Sequence, residues 1–325
     1  MSANIDDSTA FTDCSTVTDM PEAECVALVQ LYNQTDGINW TDNGGWLTAD
    51  TPCDWNHVVC TGGHVTQLNL AANQLNGPIP SELATLANLQ RLDLCDNQLS
   101  GTIPTEQSNL VNLQYLDLSG NQLEGAIPPD HASLTHLQYL NLSDNQLIGP
   151  VAPELGELIN LQYLNLSGNG FSGAVSSALG NLVALQILDL SGNALSSIPT
   201  EMGGLASLTN LNLSGNVLTT IPVTVDNLTA LLTFNLSGNQ LSSVPTELGN
   251  LANLADLDLS GNVLTTIPNN LVNLTSLQLL DFSNNQLSSI PASLSSLVNL
   301  LHLNLSDNSL NTFPTALSGM TSLEY

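Results

Sequence analysis

Leu89-Gln90-Arg91-Leu92-Asp93-Leu94-Cys95-Asp96-Asn97-Gln98-Leu99 is the stretch that decides the fold. Leucines stand eight, five and three residues before Asn97 and two after it. The same frame closes on eleven asparagines: Asn73, Asn97, Asn121, Asn145, Asn169, Asn193, Asn216, Asn239, Asn262, Asn285 and Asn308. The first five intervals are 24 residues and the last five are 23. A fixed period of this length marks a stacked-repeat architecture. Substitutions within the frame keep volume, as at Val65, Phe171, Phe234 and Phe282.

The spacing has a physical cause. On a short strand, the residues five and three before each asparagine point to one side, and those six, four and two before it point to the other. One coil cannot bury its leucines alone, so neighbouring coils bury them jointly. The asparagine falls where the chain turns off the strand, and its amide can donate to and accept from adjacent turns. Leaving such groups unpaired costs about 1–3 kcal/mol each. The ladder is therefore structural and not a row of ligand contacts.

Two repeat types follow one another. The 24-residue repeats carry a glycine four residues after the asparagine, namely Gly77, Gly101, Gly125, Gly149 and Gly173, and three continue as G-x-I-P. From Asn193 onward one residue is lost and the repeats read L-S-S-I-P or L-T-T-I-P. Ser196-Ser197, Thr219-Thr220, Ser242-Ser243, Thr265-Thr266 and Ser288-Ser289 alternate in type, which implies a 46-residue unit copied in tandem; Asn311-Thr312 breaks the alternation.

The frame L-x-x-L-x-L-x-x-N-x-L resembles the leucine-rich repeat family. Its L-x-G-x-I-P form is similar to the extracellular repeats of plant receptor kinases and polygalacturonase-inhibiting proteins. Cys53-Asp54-Trp55-Asn56-His57-Val58-Val59-Cys60 resembles the C-x-W-x-G-V-x-C cap of secreted members, with His57 at the glycine position. The run from Cys14 through E-C-V-A-L-V-Q-L-Y-N-Q-T-D-G-I-N-W is similar to the cap of secreted bacterial members. The resemblance implies an α/β solenoid: a right-handed horseshoe of about eleven repeats with a parallel concave β-sheet and a disulfide-bonded N-terminal cap. Residues 1–64 would form the cap and 65–325 the repeats, with 24-residue repeats to about 192. The expected cap helix begins near Pro21, with Glu22 and Glu24 complementing its positive end, and stops near Asn33. Of the five cysteines, Cys14 would pair with Cys25 and Cys53 with Cys60, although spacing alone does not fix connectivity. A zinc site is the rival, but the spacing matches no zinc signature. Cys95 is left over, where most repeats place serine. Two bridges imply an oxidising compartment, extracellular or cell-surface.

Composition narrows the chemistry. The chain has one basic residue, Arg91, against 29 acidic ones, for a formal net charge of −28. Nucleic acids need a basic footprint, so they are excluded as partners, as are anionic membrane surfaces. Without lysine there is no Schiff-base chemistry and no phosphate-binding P-loop lysine. No run of 18 apolar residues is present, so no membrane insertion is expected. Polar residues follow Met1, which suggests a mature segment. Leu323-Glu324-Tyr325 opens a twelfth frame, so a longer protein with its C-terminal cap further on is expected.

The function is sought on the concave face. The columns four and two residues before the asparagines are short and monotonous: Asn or Asp in one, mostly serine in the other. The column six before varies, running Gln67, Arg91, Tyr115, Tyr139, Tyr163, Ile187 and on to His302. Three consecutive tyrosines, flanked by Arg91, Asp93 and Asp117, form the expected ligand-binding strip, because exposed aromatics on a rigid platform are what interfaces favour. A cross-strand ladder that only stiffens the sheet is the alternative. His57, His64, His131, His136 and His302 form no oriented triad and no carboxylate pair accompanies them, so no catalysis, cofactor or metal site is expected. The expected function is a non-catalytic, monomeric recognition module for a protein or carbohydrate. The alternatives are a structural spacer or adhesin stalk, and an ice-binding protein using the Ser/Thr ladder.

Overall fold

The computed structural model describes Phe11, residues 13–311, and Leu317, Met320, Ser322 and Leu323. Thr312, Glu324 and Tyr325, which bear on the last hydroxyl pair and the twelfth frame, lie outside the described residues. The chain forms two compact units, Met1–Leu147 and Ile148–Tyr325.

Among the described residues of the first unit the only α-helix spans Glu22–Gln34. Pro21 is its N-cap and not its first helical residue. Glu24 does more than complement the helix end: it is buried, contacts His64 Nδ1 at 2.6 Å and accepts from the Val65 backbone N–H at 2.8 Å. It thereby ties the cap helix to the first repeat strand. Tyr32, Trp40, Trp46 and Trp55 form a chain of ring contacts with centroids 5.3, 4.9 and 5.0 Å apart in succession. Each indole N–H finds a backbone carbonyl: Trp40 on Thr35, Trp46 on Asn56 and Trp55 on Ala49. The bridges are Cys14–Cys25 and Cys53–Cys60, as expected. His57 has φ of 72°, the left-handed region that a glycine would occupy freely, and its Nε2 lies 3.0 Å from Asp42 Oδ2.

Val58–Thr61 pairs antiparallel with His64–Asn69. Arg91–Asp93, Tyr115–Asp117 and Tyr139–Asn141 then add in parallel, so that Gln67, Arg91, Tyr115 and Tyr139 stand abreast. In the second unit seven parallel strands, from Tyr163–Asn165 to His302–Asn304, keep the same register. The leucines of the frame are buried as far as Leu300, each contributing roughly 1.5–3 kcal/mol, whereas Leu303, Leu305 and Leu310 of the last frame are half-buried.

Asn97 shows how the ladder works. Its Oδ1 accepts from the Asn73 and Leu75 N–H groups at 3.0 and 2.9 Å. Its Nδ2 donates to the carbonyls of Leu70, Leu94 and Cys95 at 2.9, 3.0 and 3.0 Å. One amide thus joins two consecutive coils.

The residue just before each asparagine is always left-handed, with φ of 52–63° from Ala72 and Asp96 to Gly261 and Asp307. This explains why that column is Gly, Asp or Asn with one Ala: these residues enter the region at least cost. The glycines of the 24-residue repeats are also left-handed, as at Gly101 with φ of 77°. They lie in a second set of short strands such as Gln98–Thr102 and Gln122–Gly125. A register shift between Gly173 and Ala174, in the pairing of Gly170–Ala174 with Ala194–Ser197, marks the change of repeat length. Beyond it no second strand forms among the described residues. One backbone bond per rung persists, for example Val217 N to Leu195 O at 3.1 Å.

The outer segments form the second side of the solenoid. They are five-residue 3₁₀ turns, such as Ser81–Thr85 and Val223–Asn227, mostly entered through a proline. Five residues are too few to nucleate an α-helix, whereas i→i+3 bonding suits them.

Candidate functional site

On the solvent face of the first unit's sheet, the varying column places Arg91 over Tyr115 and Tyr115 against Tyr139. The guanidinium carbon lies 3.6 Å from the Tyr115 centroid. The Tyr115 and Tyr139 rings stack at 4.2 Å with 7° between their planes. Three planar groups therefore form one continuous stack, and both faces of Tyr115 are occupied.

Two carboxylates hold the stack from below. Arg91 Nη2 donates to Asp93 Oδ2 at 2.7 Å. Asp117 Oδ2 receives the hydroxyls of Tyr115 and Tyr139 at 3.2 and 3.4 Å and Asn141 Nδ2 at 3.3 Å. Asp93 and Asp117 are only 5% and 4% exposed. They act through the stack, because their oxygens are already engaged. Burial works to lower the Arg91 pKa, but Asp93 and Tyr115 outweigh it and the net shift is upward. Burial, then Asp117 and Asp93, raise the Tyr115 pKa. The stack is cationic at one end and neutral phenol along its length.

Asp93, Cys95 and Asp117 bring three potential metal-ligand atoms within 4.8 Å of one another. This trio escapes a sequence-based search because Cys95 stands in a serine column. Burial and then the Asp93 hydrogen bond push the Cys95 thiol up to about 12, so the proton stays on sulfur at neutral pH. The thiol stands where Ser119 places a hydroxyl 2.6 Å from Asp117 Oδ1.

Tyr163 belongs to the second unit, on the strand Tyr163–Asn165, where Asn165 Nδ2 reaches its hydroxyl at 3.4 Å. Further along the same face of that unit, small Asn210 and Thr233 leave a concavity of about 370 Å³ between Ile187 and Asp256. Burial, reinforced by Asp258, raises the Asp256 pKa. The varying column contains these residues, but their side-chain sizes alone did not single out a depression. The hydroxyl pairs from Ser196 to Ser289 lie on a different flank and are exposed, apart from the half-buried Ser197.

Family models match much of the chain: a leucine-rich repeat region over 149–262, leucine-rich repeats in two copies over 111–155, and further leucine-rich repeats over 63–123, 276–297 and 299–320. The Leptospira interrogans LRR protein LIC12759 is 31% identical with a TM-score of 0.55, and the match covers 80% of this chain and 76% of that one. The chain belongs to the leucine-rich repeat family. The leucine-rich repeat ectodomain of the Arabidopsis receptor kinase HAESA, solved in complex with an N-terminally extended IDA peptide hormone ligand, is 32% identical with a TM-score of 0.74; the match covers 92% of this chain and 53% of that one. This leucine-rich repeat chain spans about half the length of the receptor ectodomains it matches. A plant ice-binding protein is 29% identical with a TM-score of 0.67, over 91% of this chain and 90% of that one. No helix among the described residues is long and apolar enough to cross a membrane.

Proposed function

We propose that this leucine-rich repeat chain is a non-catalytic extracellular recognition module that binds a peptide or protein on the solvent face of its strands. The Arg91–Tyr115–Tyr139 stack, pinned by Asp93 and Asp117, is the observation that carries it. A stack ordered before binding loses little side-chain entropy when a ligand arrives. Its geometry favours protein over carbohydrate: sugars pack on aromatic faces, and both faces of Tyr115 are taken. Ring edges and the remaining guanidinium N–H groups suit backbone carbonyls and apolar side chains. In the second unit, Tyr163 and the Ile187–Asp256 concavity offer a separate candidate surface from the same sequence column. The two disulfides and the peptide-bound HAESA ectodomain support an extracellular setting.

The test is panning of the chain against peptide and secreted-protein libraries beside a glycan array, repeated with Tyr115→Ala, Tyr139→Ala and Tyr163→Ala. We expect a peptide or protein hit that each of the first two variants weakens at least tenfold. Unchanged affinity in all three would sink the site, and an absence of hits would favour a passive spacer.

One further reading has an observation of its own. The exposed Thr219-Thr220 and Thr265-Thr266 rungs recur on one flank, and the ice-binding neighbour matches over nearly its whole length. Thermal hysteresis of the wild-type chain, lost on replacing these threonines, would establish ice binding there.

A further inference from the structure

The buried position within each outer turn is apolar in most repeats, occupied for instance by Leu83, Leu155, Leu179 and Met202. Two consecutive turns of the first unit break this rule. Gln107 in Thr105–Asn109 is 1% exposed and His131 in Pro129–Ser133 is 4% exposed. None of their four side-chain nitrogen and oxygen atoms makes a hydrogen bond of ordinary geometry within the protein. Hiding each such group costs about 1–3 kcal/mol, so this part of the coil is held closed against a penalty that the leucine-filled turns do not carry.

A neutral imidazole can be kept there, but a cation cannot be kept without a partner. The charged groups on the surrounding turns do not supply one. Glu106 on the preceding turn and Asp130 on His131's own turn are both exposed. His136, further along the same outer segment, is exposed and contacts the Val111 carbonyl at 2.9 Å. In the following repeat the equivalent turn carries Glu154 and Glu157. Burial pulls the His131 pKa down to about 4, outweighing the Pro128 backbone carbonyl and then Asp130, both of which act to raise it.

The turns are also the cheapest part of the coil to open. Within them the backbone is closed by 3₁₀ bonds, such as His131 N to Pro128 O and Leu134 N to His131 O, both 3.1 Å. The Ser133 hydroxyl reaches the previous turn, at Ser108 O, 2.6 Å away. The strands, by contrast, carry a full ladder and the asparagine amides. Elements with few such ties open first.

We propose that Gln107 and His131 form an acid-sensitive latch, so that in mildly acidic surroundings the outer turns 105–109 and 129–133 swing open while the strands of the unit hold. The sign follows from linkage. The open form takes up a proton near the ordinary histidine value of 6.5, whereas the closed form does so only near 4. Closure is fully favoured above about pH 7 and is lost as the pH falls from there toward 4. At pH 5 the opening constant rises by about 30-fold.

The test is hydrogen exchange followed by mass spectrometry on the full chain at pH 7.5 and 5.0, corrected for the intrinsic pH dependence of exchange. Peptides covering 105–111 and 129–135 should open about 30-fold more at pH 5.0, and those covering the apolar-filled turns Ser177–Asn181 and Val223–Asn227 should not change. His131→Leu should abolish the response. His131→Gln, polar but unable to titrate, should abolish it too, which guards against a folding defect in the leucine variant. A response that persists in both variants, or one equally large at Ser177–Asn181, overturns the latch.

Discussion

Asn121 makes four hydrogen bonds with one side chain: it accepts from Leu99 N and donates to the carbonyls of Leu94, Leu118 and Ser119. Asn121→Ala leaves the Leu99 N–H without its amide acceptor, while the Leu94 carbonyl keeps only the bond from Asn97 Nδ2, so we expect it to destabilise the chain by about 2 kcal/mol. Urea unfolding measures this, and a loss below about 1 kcal/mol would mean water replaces the amide. The role of the ladder was legible from the period alone, because amide chemistry at a turn admits few alternatives. Arg91, Tyr115 and Tyr139 were legible as a column. The clamp formed by Asp117 was not: a column of Asp and Asn gives no sign that one oxygen will collect two phenol hydroxyls. Gln107 and His131 were silent for a related reason, since the frame that organises the strands does not extend to the outer turns.

At the scale of elements, the cap and the turns add most to what the sequence suggested. The helix boundaries came within a residue or two, but Glu24 is a tie to the first repeat as well as a helix-end charge. Glu24→Ala would free the Val65 N–H and remove the His64 contact. We expect a loss of about 2–3 kcal/mol, the cost of a buried charge-assisted pair of bonds. A melt in which Glu24→Ala matches wild type would assign the cap's attachment to the tryptophan cluster alone. The 3₁₀ turns and the second strands were hidden because both depend on backbone geometry. The glycines at 77, 101 and 125 announced something special, but only their positive φ shows what it is. The column before the asparagines shows Gly, Asp and Asn in the sequence, and its positive φ supplies the reason.

For the whole chain, the net charge of −28 with a single arginine sets the partner's character. Acidic partners are repelled at long range and basic ones are drawn in. The one cation stands in the proposed site, where its own aspartate partly neutralises it. Fold class and the absence of a nucleic-acid footprint follow from composition and period. The choice among faces does not, because the strand face and the hydroxyl flank are equally regular in sequence. Side-chain order separates them: the strand face carries a pinned aromatic stack, whereas the rungs from Ser196 to Ser289 are exposed hydroxyl pairs apart from the half-buried Ser197. Hydroxyl-radical footprinting of the chain with the partner recovered by panning tests this most directly. The account predicts protection of Tyr115 and Tyr139, with Thr219, Thr220, Thr265 and Thr266 as reactive as in the free chain. Protection of those threonines with both tyrosines left reactive would contradict it.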